Sequence, residues 1–150
     1  MNKKMIILTF AFVMDLLFLG AGFYILTNLD NLVVTYNDEL TADVYVDTAI
    51  DQNVNLVFYK TGCPYCQSGK KAVVTAAKES AYPTFYIDVE SDKGQQLVKQ
   101  YQVEKAATII TLRDGESRLY LYAKKTQAGK ITADEKTIEE ALDDPKNEAQ

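Results

Sequence analysis

Two cysteines are the residues of this sequence best suited to chemistry. Cys63 and Cys66 are the only cysteines in the 150 residues, and Pro64 and Tyr65 separate them. Thiols at this spacing can close a disulfide with little movement of the backbone when they lie where a strand turns into a helix. Free N–H groups and the helix dipole at that point stabilise the thiolate, which is the reactive form of a thiol. The spacing therefore indicates thiol–disulfide exchange.

The two thiols have different predicted roles. Cys63, at the start of the helix, is expected to be the attacking or attacked sulfur. Cys66, one turn inside the helix and more buried, would resolve the mixed disulfide. Pro64 suits the first helical turn because it lacks an N–H that would have no partner there, and Tyr65 is expected to be exposed and to contact a partner. Two plainer interpretations are an inert disulfide and one half of an intermolecular metal site, but a disulfide in so short a loop restrains the unfolded chain little.

The composition excludes several other classes of protein. The chain lacks histidine, so catalytic triads and histidine metal sites are not available to it. Two cysteines alone do not complete a tetrahedral zinc site, and neither a metal nor another cofactor is expected. The net charge of −5, from 16 basic and 21 acidic residues, argues against a nucleic-acid binder, which needs a basic surface. The length suits one domain of ordinary size.

The N-terminus has the pattern of a membrane segment. Residues 5–29 are mostly apolar and carry a single charged residue, Asp15. A helix of that length would cross a hydrocarbon core about 30 Å thick. Lys3 and Lys4 precede it, so the positive-inside rule places residues 30–150 outside the cytoplasm of a single-pass membrane protein. The alternative is a cleaved signal peptide and a secreted protein.

Hydrophobic patterning in the rest of the chain predicts an α/β domain. We divide the sequence into an N-terminal anchor (1–29), a linker (30–43), a domain (44–144) and a tail (145–150). Residues 44–53 are ambiguous between strand and short helix. A hairpin is indicated by Asp114-Gly115, and a capping box at residues 132–135 is expected to open the last helix. The predicted elements are strand 55–59, helix 66–81, strand 84–89, a helix capped by Ser91 and running to about Tyr101, paired strands 108–112 and 119–122, and the last helix.

Residues from about 54 to 142 resemble a thioredoxin-fold protein. Residues 56–66 match the strand and active-site turn of that family, and residues 101–115 match its later loop, strand and turn. The resemblance implies a mixed sheet flanked by helices, preceded here by one transmembrane helix. It also implies a substrate groove lined by the backbone of Ala107 and Thr108 and bordered by Pro64 and Tyr65. The Cys-Pro-Tyr-Cys motif and the anchor are most similar to thioredoxin-like accessory proteins of Gram-positive bacteria, one group of which is associated with bacteriocin export.

The sequence departs from the family pattern at three positions. Ala107 stands where the family has a cis-proline, and we expect a trans peptide there because a cis bond before a non-proline residue costs about 2.5–4 kcal/mol. Val57 stands where thioredoxins have a buried acid that helps to deprotonate the second cysteine. Gly62 replaces the usual tryptophan, which removes an apolar contact for partner proteins.

The sequence thus predicts an extracytoplasmic thiol–disulfide oxidoreductase. Its partners would be exported proteins or peptides that contain cysteine, with a redox partner or an export apparatus as a further possibility. One alternative is a non-catalytic thioredoxin-like accessory module of an export or surface apparatus. Another is a glutaredoxin, because Cys-Pro-Tyr-Cys is the motif of that branch, although the predicted export and the missing cis-proline argue against it.

Overall fold

A computed structural model of the chain describes residues 12–20, 36, 40–47 and 53–142. The chain divides into two compact units, residues 1–34 and residues 35–150. In the first unit, residues 12–20 lie in a helix, α1, whose side chains are all exposed. Within the described ranges, no helix is both long enough and apolar enough to cross a membrane. Most of the predicted anchor and the whole of the tail 145–150 lie outside the described residues.

Four helices and six strands make up the described part of the second unit. Their bounds are α2 Ala42–Asp47, β1 Val54–Tyr59, α3 Pro64–Glu79, β2 Thr84–Asp88, α4 Asp92–Gln100, β3 Thr108–Arg113, β4 Glu116–Leu121, β5 Ala123–Lys125, β6 Ile131–Ala133 and α5 Glu135–Leu142. The predicted order from β1 to β4 is confirmed, with ends that differ by up to three residues. The ambiguous segment after residue 43 begins as helix, since α2 ends at Asp47.

The sheet is mixed, as predicted. Its strand order is β2-β1-β3-β4, with β1 parallel to β2 and antiparallel to β3, and with β4 antiparallel to β3. Because β1 and β2 are parallel, the chain between them must cross from one end of the sheet to the other, and α3 makes this crossing. The consequence is that α3 begins directly above the end of a central strand.

Side-chain alternation along β1 separates the two faces of the sheet. Leu56 and Phe58 belong to a buried cluster on the face covered by α2 and α4, together with Ile110 of β3 and Leu97 of α4. Neighbouring residues in a strand point to opposite faces, so Val57 lies on the face covered by α3. Helix α5 packs beside α3. The segment that contains the two cysteines therefore connects β1 to α3 and continues into α3, with α5 packed beside that helix.

Residues in the predicted linker contribute to this domain. Tyr36 is only 8% exposed and Ala42 belongs to the buried cluster. The backbone N–H of Tyr86 in β2 donates to the carbonyl of Leu40 at 2.7 Å, and Thr41 forms a parallel bridge with Tyr86. Leu40 and Thr41 thus contact the outer edge of β2, where the Leu40 carbonyl accepts an N–H that the edge strand would otherwise expose.

The start of the last helix differs from the prediction. Thr132 and Ala133 lie in β6, which pairs with β5 in a hairpin that the hydrophobic pattern did not indicate. The predicted capping box was therefore wrong, since strand pairing holds two of its residues. Asp134 takes over the role: its carbonyl accepts the N–H of Ile138 at 2.9 Å, and its carboxylate interacts with Thr137 and with Lys124, whose ammonium lies 3.0 Å away.

Candidate active site

The turn between β1 and α3 fixes the direction of the first cysteine. Gly62 has φ of +76°, a left-handed conformation that residues with a Cβ rarely adopt. The N–H of Cys63 donates to the carbonyl of Lys60 at 3.3 Å and closes the turn. Cys63 is then extended, with φ −73° and ψ 120°, and Pro64 follows as the first helical residue. This places Cys63 as the N-cap of α3, and α3 begins two residues earlier than the predicted start at Cys66.

The Cys63 thiol occupies the position of a capping oxygen. Its sulfur accepts the backbone N–H of Cys66 at 3.3 Å, which satisfies one of the free donors at the start of a helix. The side chain is half-buried, and Cys66, one turn later, is only 2% exposed. Both cysteines are free thiols in this structure. The pair thus combines one sulfur open to solvent with one that the fold covers.

Burial changes the acidity of the second thiol. It raises the pKa of Cys66 from 9.0 to about 11, and the hydrogen bond with Cys63 acts in the same direction. A backbone hydrogen bond from Lys60 and the hydroxyl of Tyr122 lower this pKa and offset part of the effect. At neutral pH Cys66 is therefore a protonated thiol.

Tyrosines surround the buried thiol. Tyr122 is fully buried; its hydroxyl donates to the carbonyl of Phe58 at 3.2 Å and interacts with the Cys66 thiol. The Tyr36 hydroxyl lies 3.4 Å from the Tyr122 hydroxyl and 3.4 Å from the Cys66 carbonyl, to which it donates. Burial raises the pKa of both phenols above the ordinary value of 10.0. The sequence alone did not predict this cluster, since nothing in the local pattern places residues 36 and 122 beside residue 66.

A cleft of about 840 Å³ opens next to Cys63. Its walls come from the loop before β3, from β4 and β5, and from α5. Leu119 and Leu121 of β4, which are 50% and 37% exposed, contribute apolar surface. The polar part of the lining is mixed in charge, with Lys105, Lys124, Lys125, Asp134 and Glu140. This wall could not be predicted from the sequence, because the exposed face of an edge strand has the same residue pattern whether or not a cleft borders it.

The predicted groove residues have different environments. Tyr65 is half-buried and lines the cleft, as does Ala107, whereas Pro64 is exposed outside the lining. Thr108 is 1% exposed, and its hydroxyl donates to the carbonyl of Lys105 at 2.7 Å, so its side chain faces inward rather than into the cleft. The carbonyl of Ala107 accepts the N–H of Tyr122 at 3.2 Å. The structure therefore brings Cys63, Tyr65 and Ala107 together and leaves Pro64 and Thr108 to one side.

The structure shows the environment of two positions that depart from the family pattern, Ala107 and Val57. The described residues contain no cis peptide bond, so the peptide before Ala107 is trans, as expected. Val57 is fully buried on the face below α3, and no carboxylate is among the groups that alter the pKa of Cys66. No cluster of three or more potential metal ligands occurs in the part of the chain that the structure describes.

Comparison with known proteins identifies the fold. No protein-family model and no curated protein matches the chain. The solved structure of Trxlp from Edwardsiella tarda is 17% identical, with a TM-score of 0.50 over 73% of this chain and 96% of that chain. The chain has a thioredoxin fold. Thioredoxin from Fasciola hepatica (17% identity, TM-score 0.47, 69% and 92% covered) and the germline-specific thioredoxin Deadhead from Drosophila melanogaster (28%, 0.41, 51% and 72%) are also similar.

A second hairpin precedes the last helix. Among the described strands, β5 and β6 form a two-stranded sheet of their own, and the turn between them contains Gly129 at φ +81°. Three of the cleft residues, Ala123, Lys124 and Lys125, lie on β5. The hairpin therefore adds a wall to the cleft beside Cys63.

Proposed function

We propose that this chain is a thiol–disulfide oxidoreductase that acts through Cys63 and Cys66. The observation that carries the proposal is the pairing of a half-buried sulfur, which caps α3 beside an open cleft, with a buried thiol one turn further along the same helix. A structural disulfide would gain nothing from an open cleft. A metal half-site would gain nothing from a second sulfur that the fold covers.

The reaction has two exchange steps. The Cys63 thiolate attacks a partner disulfide, forms a bond to one partner sulfur and releases the other as a thiolate. Cys66 then loses its proton and attacks the Cys63 sulfur, so that the bond between Cys63 and the partner breaks and the intramolecular disulfide forms. The reverse sequence transfers the disulfide to a reduced partner. Neither direction needs a cofactor, because the two electrons pass directly between the sulfur atoms of the chain and those of its partner.

Single substitutions of the two cysteines test this order. Cys66→Ser is expected to accumulate a mixed disulfide between Cys63 and a disulfide-bonded peptide, because the resolving sulfur is missing. Cys63→Ser, which differs by the same one-atom exchange, is expected to form no such adduct. Non-reducing electrophoresis with mass spectrometry measures both. Equal trapping by the two variants, or none by either, would refute the proposed roles.

We also propose that the domain acts outside the cytoplasm on exported proteins or peptides, tethered by residues 1–29. The proposal rests on the apolar N-terminal sequence with its two preceding lysines and on the positive-inside rule. The motif and the anchor together favour the membrane-anchored accessory type of Gram-positive bacteria, including those that assist bacteriocin export.

A non-catalytic binding module is the second candidate. It is favoured by Ala107, whose carbonyl is already bonded to the N–H of Tyr122, so that one backbone acceptor next to Cys63 is occupied within the protein. The double variant Cys63→Ser, Cys66→Ser distinguishes the two: full support of partner secretion by this variant would favour the binding module.

A further inference from the structure

Among the described residues, the Tyr122 hydroxyl is a side-chain neighbour of the Cys66 sulfur from outside its own helix. Tyr122 lies just after β4, and its hydroxyl interacts with the Cys66 thiol and donates to the carbonyl of Phe58 at 3.2 Å. A phenol O–H can rotate between acceptors, so the same proton can be donated either to the carbonyl or to a thiolate. Tyr122 is thus placed where negative charge would develop if Cys66 were ionised.

The backbone on both sides holds this tyrosine in place. The Tyr122 N–H donates to the carbonyl of Ala107 at 3.2 Å, and its carbonyl accepts the N–H of Asp134 at 3.0 Å. Its ring lies against Gly69, where an added Cβ would come within 2.5 Å of the ring carbon Cδ2. The glycine leaves the space that the ring occupies, three residues after Cys66 on the same helix.

A second tyrosine supports the first. The Tyr36 hydroxyl lies 3.4 Å from that of Tyr122. The Tyr36 ring stacks on Tyr59 with 4.2 Å between centroids, and the ammonium of Lys70 lies 5.0 Å from the Tyr36 centroid. These contacts keep the Tyr36 hydroxyl close to the pair formed by Tyr122 and Cys66.

Among the described residues, no carboxylate is found to act on the Cys66 thiol. Val57, the fully buried residue on the sheet face under α3, has an apolar side chain that cannot hydrogen-bond. Cys63, the Lys60 backbone and Tyr122 all act on the thiol. An ionised Cys66 would therefore depend on neutral hydrogen-bond donors.

We propose that Tyr122 is a further catalytic residue, whose hydroxyl donates a hydrogen bond to the Cys66 thiolate during exchange. The inference rests on the proposed function. In resolution, the Cys66 S–H proton leaves for solvent and the thiolate attacks the Cys63 sulfur. The Cys63–Cys66 bond forms, the bond to the partner breaks, and the partner thiolate takes up a proton. In the reverse step Cys66 leaves as the thiolate, and Tyr122 donates to it in the same way. The phenol proton stays on Tyr122 throughout.

The rate of resolution should depend on pH through this hydrogen bond. The titratable or charged groups that face Cys66, Tyr122 and their support are Cys63, Lys60, Lys70, Tyr36, Tyr59, Tyr86 and Asp134. None of these described groups contributes a side-chain hydrogen bond that lowers the pKa of Cys66, whereas Tyr122 does. Loss of the hydroxyl therefore moves the pH profile of resolution to higher pH, a change that loosened packing alone does not produce.

A chromogenic aromatic disulfide, 5,5′-dithiobis(2-nitrobenzoate), separates the two steps. With one equivalent of reagent and the full-length reduced chain in mild detergent, attack by Cys63 releases the first thionitrobenzoate and resolution by Cys66 releases the second. Tyr122→Phe removes only the hydroxyl and keeps the ring against Gly69. We expect an unchanged first phase and a second phase that is about threefold to tenfold slower at neutral pH. Without a charge-assisted hydrogen bond, the fraction of Cys66 present as thiolate falls about tenfold to hundredfold. The remaining thiolate has a higher pKa and is therefore more nucleophilic, which offsets about half of the loss in rate on a logarithmic scale.

Two further variants test whether the change in rate comes from the Tyr122 hydroxyl. Tyr45→Phe removes a hydroxyl from the half-buried pair that Tyr45 and Tyr101 form at 2.7 Å on the opposite face of the sheet, and it should leave both phases unchanged. 3-Fluorotyrosine introduced at position 122 keeps the shape and strengthens the donor, so it should speed the second phase. It also provides the test if Tyr122→Phe does not fold, which circular dichroism reports.

The outcomes for the inference and for the proposed function differ. A second phase in the parent chain that keeps the same rate and pH profile in Tyr122→Phe, or that 3-fluorotyrosine does not speed up, would overturn the role of Tyr122 and leave the exchange activity in place. A parent chain that releases only the first equivalent would instead refute resolution by Cys66.

Discussion

Cys63 and Cys66 differ in accessibility although only two residues separate them. The N-cap position leaves the Cys63 sulfur beside the cleft, whereas the helix turns Cys66 toward the sheet and the Tyr122 hydroxyl. Burial in a site without a carboxylate favours the neutral thiol. The proposed order, with attack by Cys63 and later ionisation of Cys66, agrees with this difference.

Alkaline pH should destabilise the reduced protein through Cys66. Its pKa is raised on folding from 9.0 to about 11, so the folded state keeps a proton that the unfolded state releases. This contribution to stability is fully present below pH 9.0 and is lost as the pH rises to about 11. Over that interval the free energy of unfolding falls by up to about 1.4 kcal/mol per pH unit. Urea unfolding of the reduced chain measures this slope. Cys66→Ser should show a shallower slope that comes from the buried tyrosines, and equal slopes would contradict the assignment.

At the scale of elements, the turn after β1 and the edge strand β4 define the site. The turn directs Cys63 to the start of α3, and it depends on the left-handed conformation of Gly62. Strand β4 is almost entirely exposed and contributes Leu119 and Leu121 to the cleft. One element therefore orients the reacting sulfur and the other forms the surface next to it.

Substitution of Gly62 should strain the turn without a steric clash. No heavy atom lies within 4 Å of a Cβ added at this position, so the cost of Gly62→Ala is that of the positive φ, about 1 kcal/mol. The free energy of unfolding measures it. Gly62→Asn should regain part of the loss because asparagine tolerates this conformation better. Equal stability of the alanine variant and the parent would show that the turn can relax.

A charged residue on β4 should slow exchange with peptides and leave the rate of exchange with small reagents unchanged. Leu121→Glu removes apolar surface from the cleft, and we expect about a fivefold loss of kcat/KM for a disulfide-bonded apolar peptide. The rate with a small aromatic disulfide should stay the same. Val46→Glu is the matched control, because Val46 is 36% exposed and Leu121 37%, and Val46 lies on α2. Equal losses in both variants would exclude the cleft as the peptide site.

At the scale of the whole molecule, an apolar N-terminal segment precedes an acidic domain. The segment contains two lysines before its apolar run, and the chain as a whole has a net charge of −5. Such an arrangement fits a tether that holds a soluble catalytic domain near exported partners, as proposed above.

Removal of residues 1–29 should release the domain from membranes. We expect the full-length chain to sediment with membranes and the shortened chain to remain in the soluble fraction, since about 20 apolar residues are enough to span a bilayer. In intact cells, a membrane-impermeant maleimide should label Cys63 of the reduced full-length chain, with Cys63→Ser as the control. Labelling only after cell lysis would place the domain on the other side of the membrane.

Local sequence patterns were enough to predict much of the fold and the position of the cysteine pair at the start of a helix. The apolar run of β1, the breaker at Gly62 and the cysteines at helical spacing act over a few residues. The Asp114-Gly115 turn and the Ser91 cap are equally local, and the structure confirms both positions. These elements could be predicted because the forces that shape them, backbone conformation and hydrogen bonds at helix ends, act between near neighbours in sequence.

Only the tertiary structure decided what surrounds the two sulfurs. The cluster around Cys66 includes Tyr36 and Tyr122, which are far from it in sequence. Pairing of β5 with β6 holds Thr132 in a strand, although the local pattern there predicted a helix cap. The cleft likewise depends on how β4, β5 and α5 pack beside Cys63. The amino-acid sequence by itself determined that a thiol pair would begin a helix at the end of a strand. The burial that raises the pKa of one thiol, and the hydroxyl beside it, depend on long-range packing that no local pattern encodes.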